Sequence, residues 1–154
     1  MTFLNGSDQE KFLIICKQRQ TRWEEEFTLL PSIQKKYDLL IATGKHIFNK
    51  GETPKSDFVR VPGCQSKTFL KATRENELVF FFGKSDALIS SGLLAILLNI
   101  YSGLPPLTVL TCPPKFIERI GFNQFLSLNR ATGLYQIYLQ IQKESARIIN
   151  QSEM

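Results

Sequence analysis

Hydrophobic residues near the start of the chain recur at helical spacing. Within residues 8–30, one side of a predicted helix carries three apolar positions, Phe12, Ile15 and Cys16. Pro31 ends this helix, because a proline ring does not fit inside a helix. A second helix is predicted to follow and to end near Gly44. Its apolar face consists of Ile33, Tyr37, Leu40 and Ile41.

The hydrophobic pattern changes in the middle of the chain, where short β-branched and aromatic segments replace the helical spacing. Residues 57–62, 67–75 and 77–83 are interpreted as three strands. A short connection near Glu75 and Asn76 separates the second strand from the third, which is typical of a hairpin. These segments therefore predict a small antiparallel sheet.

Helical spacing returns in the last part of the chain. Residues 84–103 predict an apolar helix with Ser85 as its N-cap and Asp86 in its first turn, where the helix dipole favours an anion. A short helix is predicted over residues 113–121 and a long one over residues 127–149, with a buried stripe of Leu134, Ile137, Tyr138, Ile141 and Ile148. This order of elements favours an α+β fold in which helices pack on a three-stranded antiparallel sheet.

Composition and charge argue against several classes of protein. The chain has 154 residues, 43% of them hydrophobic and 21% charged, which suits one globular domain. Its net charge of +5 comes from scattered basic residues, so a surface that follows a phosphate backbone is not expected. Residues 87–111 carry no charge, but polar residues, glycines and prolines interrupt them. They predict a buried helix rather than a membrane span. Residues 1–12 do not resemble a targeting leader.

The chain has three cysteines, Cys16, Cys64 and Cys112. An odd number without C-x-x-C spacing indicates neither a disulfide framework nor a zinc site, and free thiols suit a reducing cytoplasm. Cys16 and Cys112 are interpreted as small buried apolar residues, which is the usual state of a free cysteine.

Cys64 lies in a different setting, within the segment VRVPGCQSK that joins the first two predicted strands. Gly63 allows the chain to turn and to present the next side chain. A cysteine nucleophile of a hydrolase needs a histidine base, and the single histidine, His46, follows a helix end and is not expected to serve. The remaining chemistry is exchange at sulfur, in which a thiolate attacks sulfur held on another thiol.

Three ordered motifs resemble the SufE family of sulfur-acceptor proteins. They are GCQSKTF at residues 63–69, FFGKSDALISSGLLAILLNIYSG at residues 81–103 and FLSLNRATGLYQI at residues 125–137. The resemblance extends from about Ser32 to Ile141 with similar gaps. It is weak before Trp23, so residues 1–22 are taken as an N-terminal extension without an assigned role and residues 23–150 as a single SufE-like domain.

The resemblance implies a fold and a function. The fold is expected to be similar to that of the IscU-type iron–sulfur scaffolds. Cys64 is expected to take persulfide sulfur from a pyridoxal-phosphate cysteine desulfurase and to pass it on for iron–sulfur cluster assembly. The protein is then a cytoplasmic carrier and activator of the desulfurase rather than a free-standing enzyme. It is expected to need no cofactor of its own, no nucleic acid and no membrane. A hydrophobic pocket is expected to shelter the thiol until the partner docks.

The resemblance also suggests residues that support Cys64, namely Gly63, Gln65, Ser66, Asp86 and Arg130. Gln65 and Ser66 either complete the turn or hold the cysteine loop by hydrogen bonds. Arg130 is expected to contact the desulfurase or to lower the pKa of Cys64 through its positive charge. Asp86 is either a helix acid or a docking residue.

Several positions depart from the family pattern. Lys84 stands where the family usually has aspartate, Phe69 where it often has tryptophan, and Phe125 where it has histidine. Leu128 and Asn129 stand in place of a proline and a serine. The charge change at Lys84 bears on partner docking more than on the sulfur chemistry.

Two other functions stay open at this point. An iron–sulfur scaffold of related fold would need several cysteine ligands, and Cys16 and Cys112 lie outside the matching motifs. A nucleic-acid-binding domain could use the positive net charge.

Overall fold

The computed structural model describes residues 4–51 and 54–152 of the chain. Helices precede and follow a central group of strands, in the order predicted from the sequence. The elements are α1 (Gly6–Thr28), α2 (Ile33–Thr43), β1 (Val59–Arg60), β2 (Thr68–Glu75), β3 (Leu78–Ser85), α3 (Leu88–Tyr101), α4 (Pro106–Thr111), α5 (Phe116–Ile120), α6 (Phe122–Phe125) and α7 (Leu128–Ser152). Helices α4 and α6 were not predicted, because four to six residues are too few to show a helical period.

The strands form a three-stranded antiparallel sheet in the order β1-β2-β3, which confirms the predicted α+β fold. Strands β2 and β3 make the predicted hairpin, with Glu75 paired to Leu78 across a two-residue turn. Asn76 in that turn has φ of 55°, a left-handed conformation that asparagine adopts more readily than most residues.

The two faces of the sheet have different surroundings. Residues at alternate positions of β3, such as Val79 and Phe81, are buried, and α3 packs against this strand. Phe82 lies on the opposite face and is 49% exposed, with the Lys71 ammonium 5.6 Å from its ring centroid. One face therefore belongs to the core, and the other carries aromatic and basic side chains.

Helix α3 is the centre of the core. Nearly all its residues are buried, and it packs against α2, β3 and α7. Gly92 on α3 faces Gly44 at the end of α2, so closely that a Cβ on either residue would overlap backbone atoms of the other helix. None of the helices in the described residues combines the length and the hydrophobicity that crossing a membrane requires. The burial of α3 confirms the prediction of a buried helix within residues 87–111.

The start of α3 differs from the prediction. Ser85 is not its N-cap but the last residue of β3, where it pairs with Thr68. The helix begins at Leu88 with Ala87 as N-cap, and no side chain caps it. Asp86 therefore precedes the helix instead of lying in its first turn. Strand pairing extends the sheet to Ser85 and delays the helix.

Helix α1 continues without a break across Trp23, the first residue of the domain predicted from the sequence. Residues before that point contribute to the core, because Cys16 and Gln20 are buried. The Gln20 amide donates to the Cys112 Sγ at 3.4 Å and to the Pro113 carbonyl at 3.1 Å. Cys16 and Cys112 are thus buried, as predicted, where α1 meets the segment between α4 and α5.

Candidate functional site: one thiol on a loop

Cys64 lies on the loop of residues 61–67, between β1 and β2. Gly63 turns this loop with φ of 79°, a left-handed conformation that favours glycine. A Cβ at this position would also approach the side chain of Gln136 on α7 to 3.0 Å. The predicted role of Gly63 as the turning point thus has two physical reasons, backbone conformation and contact with a helix.

The thiol of Cys64 is half-buried against α7. Its Sγ lies 3.6 Å from the Gly133 carbonyl oxygen, to which the S–H donates. A Cβ on Gly133 would itself lie 3.6 Å from that Sγ. The absence of a side chain at Gly133 therefore leaves space beside the sulfur. The sequence pattern did not predict this contact between Gly133 and Cys64.

A cavity of about 560 Å³ opens beside Cys64. Three buried apolar residues, Leu93, Leu134 and Ile137, line one part of its wall. The polar part of the lining includes most of the residues that the resemblance suggested. These are Gln65, Ser66, Asp86 and Arg130. Segments distant in the chain, from the loop before β2 to α7, thus meet around a single sulfur atom.

Asp86 ties down the end of the cysteine loop. Its Oδ1 accepts a hydrogen bond of 2.8 Å from the backbone N–H of Lys67, and its own N–H donates to the Lys67 carbonyl at 3.2 Å. A carboxylate that accepts from the backbone makes a stronger bond than a neutral acceptor does. Asp86 therefore holds the end of the cysteine loop. It does not lie in the first turn of α3, where the sequence predicted that it would interact with the helix dipole.

Ser66 and Gln65 differ in what they contact. The Ser66 Oγ lies 2.9 Å from the Thr68 Oγ1, which in turn lies 3.2 Å from the Ser85 Oγ. These hydroxyls link the loop to the buried face of the sheet. Gln65 is exposed, and its side chain has no hydrogen-bond partner among the described residues. The structure therefore supports a role in holding the cysteine loop by hydrogen bonds for Ser66, but not for Gln65.

Burial and one arginine act on Cys64 in opposite directions. Burial raises the pKa of the Cys64 thiol, and the positive charge of Arg60 partly offsets this rise in pKa. Arg130 does not supply that charge. It lies at the surface with its guanidinium 5.7 Å from the ring centroid of Tyr37. The sequence could have suggested that Arg60 acts on Cys64, because it precedes Cys64 by only four residues and a glycine turn lies between them.

His46 and the other two cysteines lie elsewhere. His46 lines a separate depression with Trp23 and Phe82, not the cavity of Cys64. Cys16 and Cys112 do not line that cavity either. Within residues 4–51 and 54–152, no group of histidine, cysteine and acidic side chains could hold a metal ion. The arrangement therefore offers sulfur exchange at Cys64 without an imidazole beside it.

The pH dependence of Cys64 alkylation should separate the two arginines. Only the thiolate reacts, so the rate of reaction with iodoacetamide should rise with pH. Its midpoint should lie above the ordinary thiol pKa of about 8.5, because burial raises the pKa of Cys64. Arg60→Gln removes a nearby positive charge and should move the midpoint to still higher pH. Arg130→Gln is the matched control and should leave it in place. A shift with Arg130→Gln alone would contradict this assignment.

Fold and site together define a small α+β protein that presents one sheltered thiol on a loop. The family model described as "SufE: Fe-S metabolism associated domain" matches residues 21–145. The chain belongs to the SufE family.

Three comparisons with individual proteins agree with this membership. An uncharacterized SufE-like protein of Synechocystis sp. is 32% identical over 121 residues, which cover 79% of this chain and 76% of that protein. The sulfur acceptor protein CsdE of Escherichia coli is 31% identical over 116 residues, 74% of this chain and 72% of CsdE. The cysteine desulfuration protein SufE of Plasmodium vivax is 27% identical over 142 residues, covering 84% of this chain but 59% of that protein.

A solved structure shows the same fold. The solution structure of a hypothetical protein from Thermus thermophilus has a TM-score of 0.70, with 22% identity over 86% of this chain and 96% of that one.

Proposed function

We propose that the protein is a sulfur acceptor that takes persulfide sulfur from a cysteine desulfurase onto Cys64. The Cys64 thiolate attacks the outer sulfur of a persulfide on the desulfurase. A new S–S bond forms at Cys64 as the old one breaks, and the desulfurase cysteine leaves as a thiolate. Cys64 then holds the sulfur as its own persulfide. No oxidant or reductant is consumed, since the exchange only moves one sulfur atom between two thiols.

The main support for this proposal is the position of the Cys64 Sγ at the wall of the cavity. The space beside Gly133 and the apolar part of the cavity wall leave room for one additional sulfur atom next to the Cys64 Sγ. The 3.6 Å contact to a carbonyl oxygen favours the neutral thiol, as does burial. The resting protein therefore carries a protected thiol. We propose that docking of the desulfurase draws the loop outward and increases the thiolate fraction.

The names of relatives support the same role. Two of those described above are called a sulfur acceptor protein and a cysteine desulfuration protein. We propose that the desulfurase carries the pyridoxal phosphate and that this chain needs no cofactor. An iron–sulfur scaffold or another acceptor would take the sulfur next, in a reducing cytoplasm that keeps Cys64 free. Neither nucleic acid nor a membrane takes part in this scheme.

Mass spectrometry after a single loading reaction tests the proposal. The protein is mixed with a pyridoxal-phosphate cysteine desulfurase and cysteine, and the thiols are then alkylated. We expect a gain of the mass of one sulfur atom on the peptide that contains Cys64. The peptides that contain Cys16 and Cys112 serve as internal controls, since both residues are buried in the core. Added sulfur on those peptides, or none on Cys64, would contradict the proposal.

A further inference from the structure

A second depression lies next to the cavity of Cys64, and three of the eight residues that line it are basic. It has a volume of about 230 Å³, and we call it the basic groove, defined by Arg60, Lys67, Phe69 and Lys84. Asp86 lines both the groove and the cavity of Cys64. The two depressions are therefore neighbours, and a protein that reaches Cys64 would also cover the groove.

The sheet register places these side chains on one face. Arg60 on β1 pairs with Phe69 on β2, and Phe69 pairs with Lys84 on β3. Directly paired residues project from the same side of a sheet, so the two cations flank one aromatic ring. Lys67 precedes β2 by one residue and is exposed.

The positive charge of the groove is not neutralised within the described residues. Arg60, Lys67 and Lys84 form no ion pair there, whereas Lys71 on the same sheet pairs with Asp57 at 2.9 Å. The acid of the groove, Asp86, already accepts from the backbone N–H of Lys67. The groove therefore has three cations and one carboxylate that already accepts a hydrogen bond. Its surface has a net positive charge that would attract acidic groups.

We propose that the basic groove is the docking site for an acidic segment of the cysteine desulfurase. This inference rests on the proposed function, because it names the partner that must approach Cys64. Aspartate or glutamate side chains of the desulfurase would pair with Arg60 and Lys84 across Phe69. Such contacts at the rim of an interface mainly raise the association rate and fix the orientation of the partner. They would set the desulfurase against the loop that carries Cys64.

The shape of the groove favours an acidic protein segment over a nucleic acid. A phosphate backbone is bound through a row of many contacts, on the order of 6–10 phosphates in well-studied cases. The groove is short, with three cations and one half-buried ring. Its size suits a few carboxylates.

Charge reversal in the groove tests this inference. The variant Lys67→Glu/Lys84→Glu leaves Cys64 and Arg60 unchanged, and Lys11→Glu on the exposed part of α1 is the control for adding acidic charge. Binding to the desulfurase is measured by fluorescence anisotropy at several salt concentrations, together with persulfide loading of Cys64. We expect the Kd of the double variant to rise about tenfold at low salt and to depend less on salt. Thermal unfolding verifies that both variants fold.

The outcomes separate the inference from the proposed function. Normal loading of the double variant at saturating concentration, with a raised Kd, supports both. If the Kd of the double variant equals that of Lys11→Glu, the basic groove is not the docking site, and the proposal of sulfur transfer at Cys64 is unaffected. If the wild-type protein binds the desulfurase but Cys64 gains no sulfur, the proposed function is wrong. The change in Kd of the double variant then still shows whether the desulfurase docks in the basic groove. Tighter binding of a single-stranded oligonucleotide than of the desulfurase, lost in the double variant, would overturn the choice of partner.

Discussion

Cys64→Ser is expected to abolish stimulation of the desulfurase while the fold is retained. The substitution replaces one sulfur atom by oxygen and leaves the bond from the Lys67 backbone to Asp86 unchanged, so the loop should stay in place. The hydroxyl does not ionise near neutral pH and cannot hold a persulfide. Sulfide release from cysteine by the desulfurase should therefore fall to the rate of the desulfurase alone. The variant should bind the desulfurase with a Kd close to that of the wild type.

The matched control is Cys112→Ser, which changes a buried cysteine outside the cavity. A serine there can still accept the hydrogen bond that the Gln20 amide donates to the Cys112 Sγ. This variant should stimulate the desulfurase as the wild type does. Full stimulation by Cys64→Ser would show that Cys64 is not the acceptor, whatever the family resemblance implies.

Gly92→Ala is expected to have the largest effect on stability. A Cβ at Gly92 would overlap the carbonyl group of Leu40, and backbone atoms cannot move aside as a flexible side chain can. The two helices would have to separate, and α2 and α3 make one of the most extensive contacts in the fold. We expect a loss of about 3 kcal/mol in the free energy of unfolding. Thermal denaturation should show a Tm about 10 °C lower.

Gly133→Ala is the control for Gly92→Ala, because it is expected to raise stability instead of lowering it. Gly133 lies within α7, where alanine is favoured over glycine by about 0.5–1 kcal/mol. Its added Cβ would meet only the Cys64 Sγ, at an ordinary contact distance of 3.6 Å. Stability should therefore rise slightly. If Gly92→Ala proved as stable as the wild type, the close contact between α2 and α3 would not exist in solution.

The two glycines show what local patterns reveal and what they do not. An apolar helix with one glycine suggests close packing, but not which element approaches. The backbone of α2 approaches Gly92, which only the three-dimensional arrangement of α2 and α3 shows. Gly133 belongs to a recognisable motif, yet nothing in that motif indicates a sulfur atom from a residue 69 positions earlier.

Charged residues were harder to interpret than apolar ones. Asp86 is followed by an apolar helix and was therefore predicted to interact with its dipole. Its actual partner is the backbone of Lys67, because the hairpin brings the end of β3 beside the start of β2. Arg130 was expected either to contact the desulfurase or to lower the pKa of Cys64, whereas the charge that offsets the effect of burial on this pKa is that of Arg60. Electrostatic effects depend on distance, which spacing along the chain does not provide.

The sequence alone predicted helices before and after a three-stranded sheet and the buried stripe of α7, and it singled out Cys64 as the candidate acceptor. Each of these follows from short-range regularities, such as hydrophobic period, turn residues and one local motif. The tertiary structure decided which groups surround the thiol: the bare backbone at Gly133, the tether from Asp86, the charge of Arg60 and the adjoining basic groove. These contacts join residues far apart in the chain, and only the packing of helices against the sheet brings them together.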